Sequence, residues 1–90
     1  GIALVFADLG MYAECELRSE FDSAGPVIRI NTRLIDAMSP ERRDSFVTHA
    51  IAHELFHYFE HRGDVQRVGD RKVREANAER FAQNLAATLR

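Results

Sequence analysis

The chain has 90 residues, of which 46% are hydrophobic and 29% are charged, and its formal net charge is −2. This composition excludes a disordered chain and predicts one globular domain over residues 1–90. The small net charge gives no general attraction to nucleic acid or to anionic membranes, so we expect no direct binding to either. The single cysteine, Cys15, excludes an internal disulfide, and the apolar run 2–7 is too short for a signal peptide or membrane span. We therefore expect a cytoplasmic protein.

The first third of the chain has the patterns of short β-strands. Residues 2–7 are apolar and predict a short buried strand. Apolar and polar side chains alternate over residues 11–18 and again over 27–31, and this period of two indicates half-buried strands. Residues 22–26 have the composition of a turn. Residues 11–31 therefore predict an antiparallel hairpin.

A long helix is predicted in the middle of the chain. Residues 32–38 predict a short helical turn before it. Ser39 is the expected N-cap and Pro40 the first helical residue, because proline has no N–H to leave unpaired at that position. The helix should end near Arg62, before Gly63.

A second long helix follows a loop that covers residues 63–70. Asp70 is its predicted N-cap, and the helix should run from Arg71 to near the C-terminus. The predicted fold class is therefore α+β, with a small antiparallel sheet of two or three strands packed on the two long helices.

The first long helix carries the pattern H-E-x-x-H at His53, Glu54 and His57. Residues four apart project from one face of a helix, so the two imidazoles can hold one zinc ion. Glu54 would then lie beside the ion, where it can take a proton from water. The helix is apolar on nearly every side, so we expect the histidines in the interior or in a cleft.

Glu75 is the candidate third ligand, since a catalytic zinc site usually has three protein ligands. The predicted second long helix has an apolar stripe, and Glu75 is aligned with it at its N-terminal end. The stripe is formed by Ala78, Phe81, Ala82, Leu85, Ala86 and Leu89. A carboxylate on that stripe would be strongly desolvated unless a cation met it. His57 lies six residues before Gly63, and Glu75 lies five after Asp70. Helices that fold back across the loop therefore bring His57 and Glu75 to the same level.

The pattern H-E-x-x-H at 53–57, followed by E-A-N-A-E-R-F-A at 75–82, resembles the gluzincin metallopeptidases. It is most similar to the ImmA/IrrE type, whose second motif reads E-x-x-A-[ND]-x-F-A, and single-domain minigluzincins are similar in size. The resemblance implies that Glu75 is a zinc ligand and that Glu79 supports the site, where a shorter Asn or Asp is usual. It also makes a regulatory protein a candidate substrate.

Alternatives stay open for the other histidines. The overlapping pattern H-x-x-E-H at 57–61 is an inverted zinc motif, but it leaves His53 unexplained, so we favour the 53–57 frame. His61 is expected to face solvent near the helix C-terminus. His49 is expected to be a packed or rim residue, with a supporting contact to the zinc ligands or to substrate as the alternative.

The residues together predict a zinc-dependent metalloendopeptidase with one catalytic Zn²⁺. Glu54 would be the general base, and a peptide or protein substrate would add as a strand beside residues 27–31. The alternative is a zinc-binding regulatory or interaction module without catalysis. Residues 62–74 carry five basic and two acidic side chains and are expected to be a solvated face rather than a binding surface.

Overall fold

The computed structural model describes residues 1–12, 15–16 and 18–88, and its fold is α+β, as predicted. The side chains of residues 11–17 and the predicted stripe residue Leu89 lie outside the described part. The elements are β1 Ala3–Ala7, β2 Met11–Tyr12, β3 Cys15–Glu16, β4 Ser19–Asp22, β5 Val27–Asn31, α1 Thr32–Ile35, α2 Pro40–Arg62 and α3 Arg71–Thr88.

The main sheet has three strands in the order β1–β5–β4. β5 pairs antiparallel with β4 and parallel with β1, so the sheet is mixed rather than antiparallel. The predicted hairpin is present, but its first strand is residues 19–22 and not 11–18. Strands β2 and β3 pair instead with each other. The sequence S-E-F-D of β4 has a single apolar residue, so its alternation is weaker than that of the residues before it.

β1 forms a strand, but the prediction that it is buried is wrong. Leu4, Val5 and Phe6 are 46%, 39% and 49% exposed. β1 is an edge strand, whereas α2 packs on β4 and β5. An apolar run favours a strand, but it does not reveal which strand of the sheet the helix covers.

β5 is the centre of both the sheet and the hydrophobic core. Ile28 and Ile30 are at most 2% exposed and belong to the same apolar cluster as Ala50 of α2. Asn31, at the end of β5, is fully buried and its side chain caps α1. The strand thereby fixes the position of the sheet relative to α2.

α2 has the predicted bounds. The Ser39 hydroxyl accepts the backbone N–H of Arg42 at 3.4 Å, and Pro40 is the first helical residue. The helix ends at Gly63, whose φ of 85° is the left-handed conformation that glycine adopts most easily. These local signals set the position of residues 53–57 in the middle of the helix.

α3 packs against α2 through small residues. It begins after Asp70, whose carboxylate accepts two backbone N–H groups of the first turn, as predicted. Ala78 and Ala82 are 0% exposed, and the rings of Phe81 and Phe56 lie 5.7 Å apart between the helices. In the described part of the chain, every helix is too short or too polar to cross a membrane.

Candidate metal centre

The side chains of His53, His57 and Glu75 converge where α2 faces the N-terminal part of α3. One ligand atom from each lies within 4.8 Å of the others. Nε2 of His53 is 2.9 Å from Glu75 Oε2, and Nε2 of His57 is 3.2 Å from Glu75 Oε1. Two ligands of a tetrahedral zinc ion, each at about 2.0–2.1 Å, lie about 3.3 Å from each other. The two contacts of Glu75 therefore have nearly the spacing of ligands that share one ion.

Nε2 of His57 is buried and has no hydrogen-bond partner, although a Glu75 oxygen lies 3.2 Å away. The distance satisfies an ion pair, but the contact lacks hydrogen-bond geometry. A buried polar atom without a partner costs about 1–3 kcal/mol, and an ion at this point would use its lone pair. Two imidazole nitrogens and a carboxylate are a ligand set typical of zinc.

The other ring nitrogen of each histidine is held by a carboxylate. Nδ1 of His53 lies 2.8 Å from Glu79 Oε1, and Nδ1 of His57 lies 2.8 Å from Glu60 Oε1. With a metal ion on Nε2, each Nδ1 carries the ring proton and donates it to its carboxylate, which fixes the orientation of the ring. Without the ion, Nε2 of His53 competes for that proton, since it lies 2.9 Å from Glu75 Oε2.

Glu79 contacts two histidines at once. Besides His53, both of its oxygens lie 3.1 Å from Nε2 of His49. Burial raises the pKa of Glu79, but the hydrogen bonds with His49 and His53 outweigh it, so the net pKa is lowered. The structure thus brings Glu79 and His49 into one network with the first ligand. Glutamate is one methylene longer than the usual Asp or Asn, and here its carboxylate reaches both rings.

Glu60 contacts His57, the second histidine of the H-E-x-x-H pattern at 53–57. This contact was not predicted from the sequence, in which Glu60 belongs only to the inverted motif at 57–61. Its side chain is only 4% exposed, and its second oxygen lies 3.9 Å from Nε of Arg74. The sequence feature that could have revealed this contact is the spacing of three residues between His57 and Glu60, which places both on one face of α2. A carboxylate buried this deeply needs cationic or donor partners, and His57 and Arg74 are the groups closest to it.

Glu54 lies on the floor of the site and is buried. Its Oε2 accepts a hydrogen bond from the hydroxyl of Ser19 in β4 at 2.5 Å. Burial raises the pKa of Glu54, and the Ser19 hydrogen bond and the nearby histidines offset this only in part. A raised pKa suits a carboxylate that must accept a proton and return it. Ser19 was not predicted, since 35 residues separate it from Glu54.

The remaining predictions have different outcomes. His61 is exposed, as expected, and its ring contacts Phe21 of β4 at 5.9 Å. Among the described residues, the only group spaced for a metal ion is the one that contains His53, His57 and Glu75. His61 does not join that group, so the geometry does not support the inverted motif.

The expected burial of Glu75 is wrong. Its side chain is 48% exposed, because it precedes Ala78, where the buried part of the stripe begins. The ligand group therefore borders an open cleft of about 1400 Å³, which is lined by residues of β4, α2 and the start of α3.

Comparisons with protein-family models, curated proteins and solved structures found no match. The resemblance to gluzincins therefore stays a prediction based on residues 53–57 and 75–82. Any functional assignment depends on the chemistry and geometry of the chain's own residues.

Proposed function

We propose that this chain is a zinc-dependent peptidase domain. The observation that carries the proposal is the convergence of His53, His57 and Glu75, with Glu54 next to the first histidine. The buried, unpartnered Nε2 of His57 supports an ion at this point. The carboxylates that hold both Nδ1 atoms support it further, because zinc-binding histidines usually donate their second ring N–H in this way.

Held by these three side chains, zinc would supply Lewis acidity, which lowers the pKa of a water molecule and polarises a peptide carbonyl. Glu54 accepts the proton of the attacking water and passes it to the leaving nitrogen. The hydroxyl of Ser19 occupies one oxygen of Glu54, which leaves the other as the proton acceptor. Glu60 and Glu79 keep the two imidazoles oriented throughout.

A peptide substrate is proposed to add along β4. The sequence alone predicted this position beside residues 27–31, but β5 lies between β1 and β4, so both of its edges are already paired. β4 is an edge strand of that sheet, and Ser19, Glu20 and Phe21 line the cleft. An unpaired strand edge offers backbone groups to an extended peptide, and here that edge borders Glu54.

The decisive experiment combines zinc binding with peptide cleavage. The purified chain should bind one zinc ion per molecule, measured by calorimetry and elemental analysis, and should cleave members of a peptide library, measured by mass spectrometry. Glu54→Gln should keep the zinc and lose the cleavage, whereas the exposed Glu41→Gln on the same helix should change neither. Zinc binding without cleavage of any peptide would instead favour the non-catalytic module. Cleavage that survives Glu54→Gln would remove Glu54 from the mechanism.

A further inference from the structure

Three exposed arginines border the cleft beside the candidate metal centre. Arg18 precedes β4, Arg67 lies in the loop between α2 and α3, and Arg71 begins α3. We call them the arginine rim. None of the three forms an ion pair with any residue in the described part of the chain. Two of them belong to the basic segment 62–74, which the sequence alone predicted to be a solvated face.

The acidic residues of the same cleft are already engaged within the protein. Four of them contact histidine or serine side chains, and the fifth pairs with Arg29. The five are Glu20, Glu54, Glu60, Glu75 and Glu79. Among the described residues, the positive charge of the arginine rim is therefore left without a carboxylate partner and faces whatever enters the cleft.

We propose that the arginine rim makes this cleft selective for acidic peptides, whose carboxylates pair with the guanidinium groups. Guanidinium is always charged and its planar fork matches a carboxylate, so arginine suits this recognition better than lysine. The carboxylate is supplied by Asp and Glu side chains or by the C-terminus of the peptide. The cleavage of such peptides rests on the proposed peptidase function, but their binding does not require catalysis.

The charges in the cleft favour a peptide over a nucleic acid. Glu20, Glu75 and Glu79 have side chains that are 39–48% exposed, and they border the same cleft as the arginine rim. A continuous phosphate backbone would run past these carboxylates, whereas a peptide can place one or two carboxylates at the arginines alone. The net charge of −2 also gives no long-range attraction to a polyanion.

The test measures the binding of fluorescent peptides by anisotropy, with the Glu54→Gln protein so that peptides stay intact. Three peptides of equal length carry Asp and Glu, the matching Asn and Gln, or Lys at the same positions. The acidic peptide should bind most tightly and should weaken as salt increases. The double substitution Arg67→Gln and Arg71→Gln should weaken it about two- to twenty-five-fold, since each exposed charge pair contributes from less than twofold up to about fivefold. Arg80→Gln is the matched control, because Arg80 lies on α3 but outside the cleft.

The affinities of the three peptides either support or overturn selectivity by the arginine rim. Equal affinity for acidic and neutral peptides, or an acidic preference that survives the double substitution, overturns the proposal. A single-stranded oligonucleotide that binds through the arginine rim while acidic peptides do not also overturns it. A preference that disappears on C-terminal amidation supports the proposal and assigns the carboxylate to the peptide terminus. Circular dichroism of each variant verifies the fold.

Hydrolysis of the same peptides by the unmodified chain separates this proposal from the proposed function. Cleavage that shows no acidic preference refutes selectivity by the arginine rim and leaves the peptidase intact. Binding of acidic peptides that depends on Arg67 and Arg71, without any cleavage, refutes the peptidase and supports the arginine rim.

Discussion

The substitution Glu60→Gln tests whether the buried carboxylate behind His57 belongs to the proposed zinc site. Glu60 is 4% exposed in its side chain, and Oε1 accepts the N–H of His57 Nδ1 at 2.8 Å. Glutamine keeps the size and a neutral acceptor oxygen, so the substitution removes little besides the charge. Loss of such a carboxylate typically weakens metal binding by about 10–100-fold, or about 1.4–2.7 kcal/mol. We expect zinc affinity to fall within this range.

The assay is a competition titration against a chromophoric zinc chelator, paired with urea unfolding of the zinc-free protein. A hydrogen bond to a charged group contributes about 1 kcal/mol more to stability than a neutral one. The free energy of unfolding of the zinc-free variant should therefore fall by about that much. Glu41→Gln, exposed in the first turn of the same helix, should leave the zinc affinity unchanged and lower the stability by no more than about 0.3–1 kcal/mol, since an acid there interacts favourably with the helix dipole. A folded Glu60→Gln protein with unaltered zinc affinity refutes the reasoning, even if its zinc-free stability falls. Such a result would make Glu60 a structural partner of His57 and Arg74 only.

Three further predictions concern other parts of the molecule. Ser19→Ala removes a hydrogen bond that lowers the pKa of Glu54, so the acid limb of the pH–rate profile should move to higher pH. Gly63→Ala should lower the free energy of unfolding in urea by about 1–2 kcal/mol, because the surrounding space is open but φ is positive. A turn N–H and Arg29 lower the pKa of Asp22. The stability that this contact contributes is fully present above the ordinary Asp pKa, and it is lost as the pH falls through the lowered pKa of the folded protein. In Arg29→Gln, NMR titration should show that the pKa of Asp22 rises part of the way towards its ordinary value.

The helical half of the fold could be predicted because its signals are local. Ser39 and Pro40 satisfy the first turn of α2, and Gly63 supplies the left-handed residue that ends it. Once these ends are known, the helical repeat places His53 and His57 on one face. The length of the loop then brings Glu75 to their level, as the 3.2 Å contact with His57 shows.

The sheet and several contacts of the site could not be predicted because they join distant segments. The turn at 22–26 predicts the hairpin into β5, but nothing local reveals that β1 pairs with the other side of β5 or that β1 lies at an edge. Ser19 reaches Glu54 only after the sheet has packed on α2. The prediction that the side chain of Glu75 is desolvated was wrong for a related reason. Helical periodicity gives the direction in which a side chain leaves the helix, but not how deeply the residue is buried between the two helices.

α2 buries two carboxylates in a domain whose core is small. Taken as whole residues, Glu54 and Glu60 are 6% and 7% exposed. The contact between α2 and α3 contains alanines, which contribute little apolar area. A buried carboxylate lowers stability unless its partners compensate, and replacing such pairs with apolar residues often stabilises a protein. Packing alone therefore does not account for these residues. Each adjoins one of the two histidines: Glu54 follows His53 in the chain, and Glu60 accepts a hydrogen bond from Nδ1 of His57. The chemical role proposed for them at the candidate zinc site would account for their burial.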